Sequence, residues 1–179
     1  MLQNLLVGGT DTAAAAVEWA VHEILKQPRT IEKAKAELNS VIGGNRWVEK
    51  DDLTHLPYIN AIIMETMRLH PIATLLGPHC AIEDCNVAGY NISKGTVVLV
   101  NVWSIGRNLN SWNAPQEFLP ERFVGKEIEM ITGIDFAVLP FGSGRRRCPG
   151  INLGLKTVGT TLANLLHGFE LKLEEGMRP

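Results

Sequence analysis

The chain has 179 residues, 45% hydrophobic and 20% charged, with 17 Lys and Arg against 19 Asp and Glu. That balance describes an ordinary globular chain and gives no basis for a nucleic-acid partner, since the arginine run at 145–147 is too short to track a phosphate backbone. No stretch reaches the roughly 18 uninterrupted apolar residues of a membrane-spanning helix, and the first residues lack the basic start of a signal peptide.

Apolar periodicity predicts a helix over about 2–26, closed by Pro28, and a second over about 30–41, closed by Gly43 and Gly44. Gly8 and Gly9 fall inside the first. Each costs about 1 kcal/mol relative to alanine, which asks for a reason such as a local widening of the helix. Asp11 and Thr12 follow, and read either as capping residues after a Gly-Gly turn or as an acid and an alcohol with chemistry to do. Asp51, Asp52 and Leu53 suggest a short helical turn. A third helix over 58–69 is stopped by Pro71. Glu65 and Arg68, three apart on it, share a face, and such a pair is ordinarily a solvated contact worth tenths of a kcal/mol.

Residues 72–76 are mostly apolar, which fits core packing or the wall of a cavity. Residues 97–102 read as a buried strand. From 108 to 142 prolines, glycines and turn residues break all periodicity, over a span so long that the segment must wrap something. A last helix over about 151–166 carries Leu153, Leu155, Val158, Leu162, Leu165 and Leu166 at helical spacing. Cys80 and Cys85 have no evident pairing with Cys148, which fits a reducing compartment. Asn91-Ile92-Ser93 satisfies the glycosylation pattern but reads as a strand turn.

The densest signal is F-G-S-G-R-R-R-C-P-G at 141–150. Gly142, Gly144 and Gly150 clear side chains from around Cys148, so backbone can approach a flat ligand and N–H groups can face the sulfur. Arg145, Arg146 and Arg147, with the helix that starts near Ile151, favour the ionised sulfur. No second cysteine or histidine stands at zinc-ligand spacing from Cys148, whereas axial ligation of a haem iron needs only one thiolate. A buried free cysteine beside an arginine-rich surface turn is the plainer alternative.

Phe141, Gly144, Arg146, Cys148 and Gly150 match F-x-x-G-x-R-x-C-x-G, and the chain here resembles the cytochrome P-450 monooxygenases. Glu65-Thr66-Met67-Arg68 resembles the family's E-x-x-R of helix K, and Pro120-Glu121-Arg122-Phe123 its P-E-R-F segment. Gly8-Gly9-Thr10-Asp11-Thr12 resembles its helix I motif. Local wording such as V-L-V-N-V-W-S-I-G-R is most similar to the plant A-type group. The resemblance implies a mainly α fold with small β-sheets. It makes residues 1–179 the haem-binding C-terminal part, from helix I through J, K and K' to just past helix L, well under half of a complete member.

By that resemblance Cys148 is the metal ligand of a haem b, Arg146 and His79 are propionate partners, and Phe141 packs beside the sulfur. Many relatives carry arginine at the position of His79. Glu65, Arg68 and Arg122 form a buried structural triad. Asp11 and Thr12 relay protons, although the family often has a second hydroxyl where this chain has Ala13. Gly8, Gly9, Ala73, Thr74, Leu75 and Leu76 line the substrate cavity, and the haem is what the irregular segment wraps. The resemblance further implies a lipophilic plant secondary metabolite, of flavonoid or terpenoid class, as substrate together with O2. Electrons come from NADPH-cytochrome P-450 reductase, for which Arg145 and Arg147 are docking candidates. The parent is expected on the cytosolic face of the endoplasmic-reticulum membrane, anchored through a segment absent here. The alternative is a truncated, non-catalytic fragment that holds haem weakly or not at all.

Overall fold

Three helices each present a stripe of small and branched apolar residues at a spacing of four, and the stripes meet. The structure, a computed structural model, describes residues 2–125 and 136–173. Helix α1 (Leu2–Leu25) contributes Ala16, Ala20 and Ile24. Helix α2 (Pro28–Val41), opened by a proline whose missing N–H would have no helical partner there, contributes Ala34 and Leu38, continued by Ile42. The last helix, α5 (Ile151–Gly168), contributes Val158, Leu162 and Leu166. They close on α3 (Pro57–Leu69), in which every residue from Ala61 to Leu69 is buried. A helix buried on all sides is apolar all round, and the buried stretch 61–69 departs from that only at Glu65, Thr66 and Arg68.

The start of α3 lacks a local cap. Leu56 offers no side-chain acceptor, and instead Glu37 of α2 accepts hydrogen bonds from Tyr58 N at 2.8 Å and Ile59 N at 3.0 Å. Asn164 of α5 clasps the chain at Val48 in the same economical way, accepting from its N at 2.8 Å and donating to its O at 3.0 Å. The second apolar cluster, on the far side of α3, joins Ala61 and Met64 to Trp112, Phe123 and Val138.

Two small two-stranded antiparallel sheets follow α3. β1 (His79–Cys80) pairs with β4 (Val97–Val98), and β2 (Cys85–Val87) with β3 (Tyr90–Ile92). The buried strand expected over 97–102 is not formed. Only Val97 and Val98 pair, both exposed, and Asn101 then caps the short helix α4 (Val102–Ile105) by accepting from Ser104 N at 2.9 Å. β1 is itself an exposed two-residue strand, so this ladder has no second layer to bury it among the described residues.

The irregular stretch after α4 wraps the protein's own core as far as Phe123. Its carbonyls at Gly106, Pro115 and Glu117 all accept from Arg68, and Phe118 and Phe123 are inserted into the two clusters. Over this part of the segment, buried guanidinium donors recruit the carbonyls that periodic structure would otherwise satisfy. Part of that segment, 126–135, lies outside the described residues.

Candidate functional site

Arg68 spends all five of its N–H donors in the interior. Its Nε and Nη2 form a fork on the Glu65 carboxylate at 2.6 and 2.7 Å, Nη1 reaches Gly106 O and Pro115 O at 2.6 and 2.8 Å, and Nη2 reaches Glu117 O at 3.1 Å. Both side chains are fully buried. Arg122 joins from the 3-10 turn at Pro120–Arg122, placing Nε 3.3 Å from Glu65 Oε1 and donating to Ala114 O at 2.7 Å and to Asn113 O. Leu119 N donates to the same Oε1 at 2.8 Å. Gly106 is obligatory: a Cβ there would stand 2.5 Å from the Arg68 carbonyl oxygen. The three residues thus form one closed cluster that ties α3 to the chain 38 to 57 residues further on, as an i,i+3 pair alone would not.

Around Cys148 the arrangement is open. The loop leaves Leu139 through Gly142, which adopts φ +68°, and turns through a 3-10 segment at Gly144–Arg146, where Gly144 adopts φ +66°. Cys148 N donates to Phe141 O at 3.0 Å, closing the loop, while Phe141 packs on the main core. The Cys148 side chain is exposed, as are Arg145 and Arg146, and Gly150 begins α5 beside the sulfur. The plainer alternative of a buried free cysteine therefore does not hold.

The turn after α3 meets this loop. Leu76, at φ +52°, occupies a conformation that costs a non-glycine residue about 1–2 kcal/mol. Its side chain lies over Gly142, where a Cβ would stand 3.5 Å from Leu76 Cδ1. Thr74 O accepts from Val102 N at 2.9 Å and Leu75 O from Val100 N at 3.2 Å, so the turn is laced to the segment following β4. Ala73, Thr74 and Leu75 are exposed, and so are His79 on β1 and Val98 opposite it. Residues 72–76, 79, 97–100 and 141–150 are therefore one continuous surface, apolar along Leu75, Val98 and Leu99 and cationic beside the thiol.

Gly8, Gly9, Asp11 and Thr12 lie on the opening turns of α1, where residues 6–12 are all exposed. The helix runs through them unbroken, so neither the expected widening nor the capping reading describes this state. Thr12 Oγ1 donates to Gly8 O at 2.6 Å and Thr10 Oγ1 to Leu6 O at 2.6 Å, and a Cβ on either glycine would meet nothing.

Among the described residues no group of three or more His, Cys, Asp or Glu could hold a bare metal ion. A single exposed thiol, in a loop with two positive-φ glycines and exposed arginines, instead suits a metal that brings its other ligands with it, as haem iron does, with the arginines suited to carboxylates on the cofactor's rim. The residues present fit a haem. Such a donor set on a four-helix frame with small sheets is compatible with a haem protein. The chain belongs to the Cytochrome P-450 family, whose model matches residues 1–179.

Cytochrome P-450 76T24 of Catharanthus roseus is 45% identical over 179 residues, covering 100% of this chain and 36% of that protein. Trimethyltridecatetraene synthase of Zea mays is 48% identical over 183 residues, covering 99% and 33%. A zebra fish cytochrome P-450 structure with progesterone superposes at TM-score 0.84 and 32% identity, covering 93% of this chain and 38% of that one. The chain spans about a third of the length of the curated relatives it matches.

Sequence reasoning missed Glu23, His70 and Trp19. His70 Nε2 lies 2.8 Å from Glu23 Oε1, and its ring stacks on Trp19 at 4.0 Å with planes 6° apart. No motif links positions separated by 47 residues, and a histidine before a proline reads locally as a helix end.

Proposed function

We propose that the protein to which this chain belongs is a haem-thiolate monooxygenase. The observation that carries this is the exposed Cys148 sulfur, held by the Phe141 backbone in a glycine- and arginine-rich loop at the start of α5. Cys148 would hold the iron of haem b, Arg146 and His79 would meet its propionates, and Phe141, Gly142, Gly144 and Gly150 would frame the sulfur. When bound, the haem supplies the one-electron and O2 chemistry. The chain's own residues do the rest. Thr12 exchanges its bond to Gly8 O for a role in proton delivery with Asp11, and Gly8 and Gly9 leave room beside them. The apolar Ala73–Leu76 turn excludes water and orients a lipophilic substrate.

Terpenoid substrates are favoured over flavonoids, because relatives at 48% and 46% identity are named as trimethyltridecatetraene and dimethylnonatriene synthases, products that are branched polyenes. Electrons would come from NADPH-cytochrome P-450 reductase, docking over Arg145 and Arg147, at the cytosolic face of the endoplasmic reticulum. No helix of the described residues is long and apolar enough to cross a membrane. A second reading concerns the chain alone: with the thiol and the 72–76 turn exposed, it holds haem weakly and turns nothing over.

The test is the carbon monoxide difference spectrum of the reduced, haem-reconstituted chain, with Cys148→Ser alongside. A thiolate-type Soret band that disappears in the variant is the expected result. A band that persists without the sulfur overturns the ligand assignment, and absence of any band in both favours the second reading.

A further inference from the structure

The turn that carries Ala73–Leu76 is strained at Leu76, so something must hold it in place. Two of its attachments are already clear: the carbonyls of Thr74 and Leu75 are laced to the segment after β4, and the Leu76 side chain rests over Gly142 of the thiol loop. The third is His70, which ends α3 one residue before Pro71 and leaves helical geometry at φ −124°, ψ 67°. Its ring lies face to face with Trp19, and Nε2 meets Glu23, both on α1. Glu23 is 4% exposed, and its only other described ionic neighbour is Lys26 at 3.5 Å. A carboxylate so buried demands a donor, and His70 provides one across 47 residues of chain.

We propose that His70, clasped by Trp19 and Glu23, is a positioning residue that fixes the strained 71–76 turn against the Cys148 loop and so sets the shape of the substrate-facing wall. Its functional meaning rests on the haem reading above, but the clasp itself does not. One hydrogen bond and one stacked ring connect the helix bearing Thr12 to the turn bearing Leu75 and Leu76, and thereby couple the two surfaces the proposed reaction uses. Glu23 lies 11 residues beyond Thr12, about 16 Å along the helix axis, so a small rotation of α1 at the clasp is carried along a rigid rod.

The experiment is amide hydrogen exchange on the chain without haem, comparing wild type with Glu23→Leu, His70→Phe and His70→Gln. Glu23→Leu removes the buried carboxylate and with it the acceptor, and the His70 ring, 17% exposed, is left able to donate to water. The Leu76, Val100 and Val102 amides, which bond to Ala73, Leu75 and Thr74 carbonyls, are expected to exchange about tenfold faster, with those of α5 unchanged. His70→Phe keeps the stack, loses the donor and behaves alike; His70→Gln, which restores an amide donor, recovers protection. Unchanged protection of the three amides in both Glu23→Leu and His70→Phe overturns the proposal, as does a failure of His70→Gln to differ from His70→Phe. Because no haem is present, this outcome is independent of the Cys148→Ser spectrum. If the chain takes up haem, Glu23→Leu is expected to weaken phenylimidazole about tenfold and imidazole little, since only the larger ligand reaches the turn; equal effects on both overturn the role in wall shape.

Discussion

The Glu65 cluster and the Cys148 loop both gather arginines around a side chain suited to negative charge, and they differ in what satisfies those groups. In the first, the chain supplies everything: a carboxylate with donors from Arg68, Arg122 and Leu119 N, and carbonyls for the remaining guanidinium protons. In the second, the backbone is arranged with equal care, yet the sulfur and the Arg145 and Arg146 side chains face outward. A closed cluster is a brace, whose removal is felt as lost stability. An open one, on the haem reading proposed above, is a receptor, whose removal is felt only by what it receives.

The sharpest test of that contrast is Glu65→Ala, which leaves the buried Arg68 guanidinium without its counter-ion and is expected to destabilise by about 3–5 kcal/mol in urea unfolding. A loss below about 1 kcal/mol breaks the distinction, since it would put the cluster on a par with a surface pair. Arg122→Ala removes bonds to Asn113 O and Ala114 O at the cluster's edge and is expected to cost about 2 kcal/mol. Gly142→Ala stands between the two regions. Its φ of +68° makes alanine costly by about 1–2 kcal/mol, while the new Cβ makes only ordinary contact with Leu76, so a loss confined to that range is expected.

Acid sharpens the comparison further. Burial pushes the His70 ring below its usual 6.5, against the opposing pull of Glu23, with Arg107 and His22 adding to the downward shift. The unfolded state therefore binds the extra proton first. The stability that His70 contributes is full above about pH 6.5 and is lost as pH falls through its lower folded value, a loss that His70→Gln should remove from the pH dependence of the urea midpoint. Least affected of all is Cys148→Ser: an exposed sulfur with no packing role leaves the urea midpoint unchanged while abolishing the haem spectrum.

Much of the frame is legible in the sequence because its signals are local. The stripes at 16, 20 and 24 and at 158, 162 and 166 announce their helices, and the prolines at 28 and 71 mark where helices begin or end. The extent of burial around Glu65 is not local. It depends on Arg122 lying 57 residues away and on carbonyls from a segment with no periodicity at all. The same is true of Glu37 capping α3, of Asn164 clasping Val48 and of His70 meeting Glu23, each a bond between residues that share no spacing rule. The expected strand at 97–102 failed for a different reason: branched apolar residues signal a pleated surface, and here that surface is exposed at Val97 and Val98.

The long reach of the Glu65 cluster also bears on how the chain is made. Glu65 and Arg68 emerge from the ribosome well before Arg122 and the carbonyls that complete their shell, 57 residues behind in the case of Arg122. At a synthesis rate of about 5–20 residues per second, that is an interval of roughly 3–11 s. During it Glu65 and Arg68 have each other but not the rest of the shell that buries them, and water satisfies the remaining groups. The cluster at the centre of the fold therefore cannot close until the segment that carries Arg122 has been synthesised.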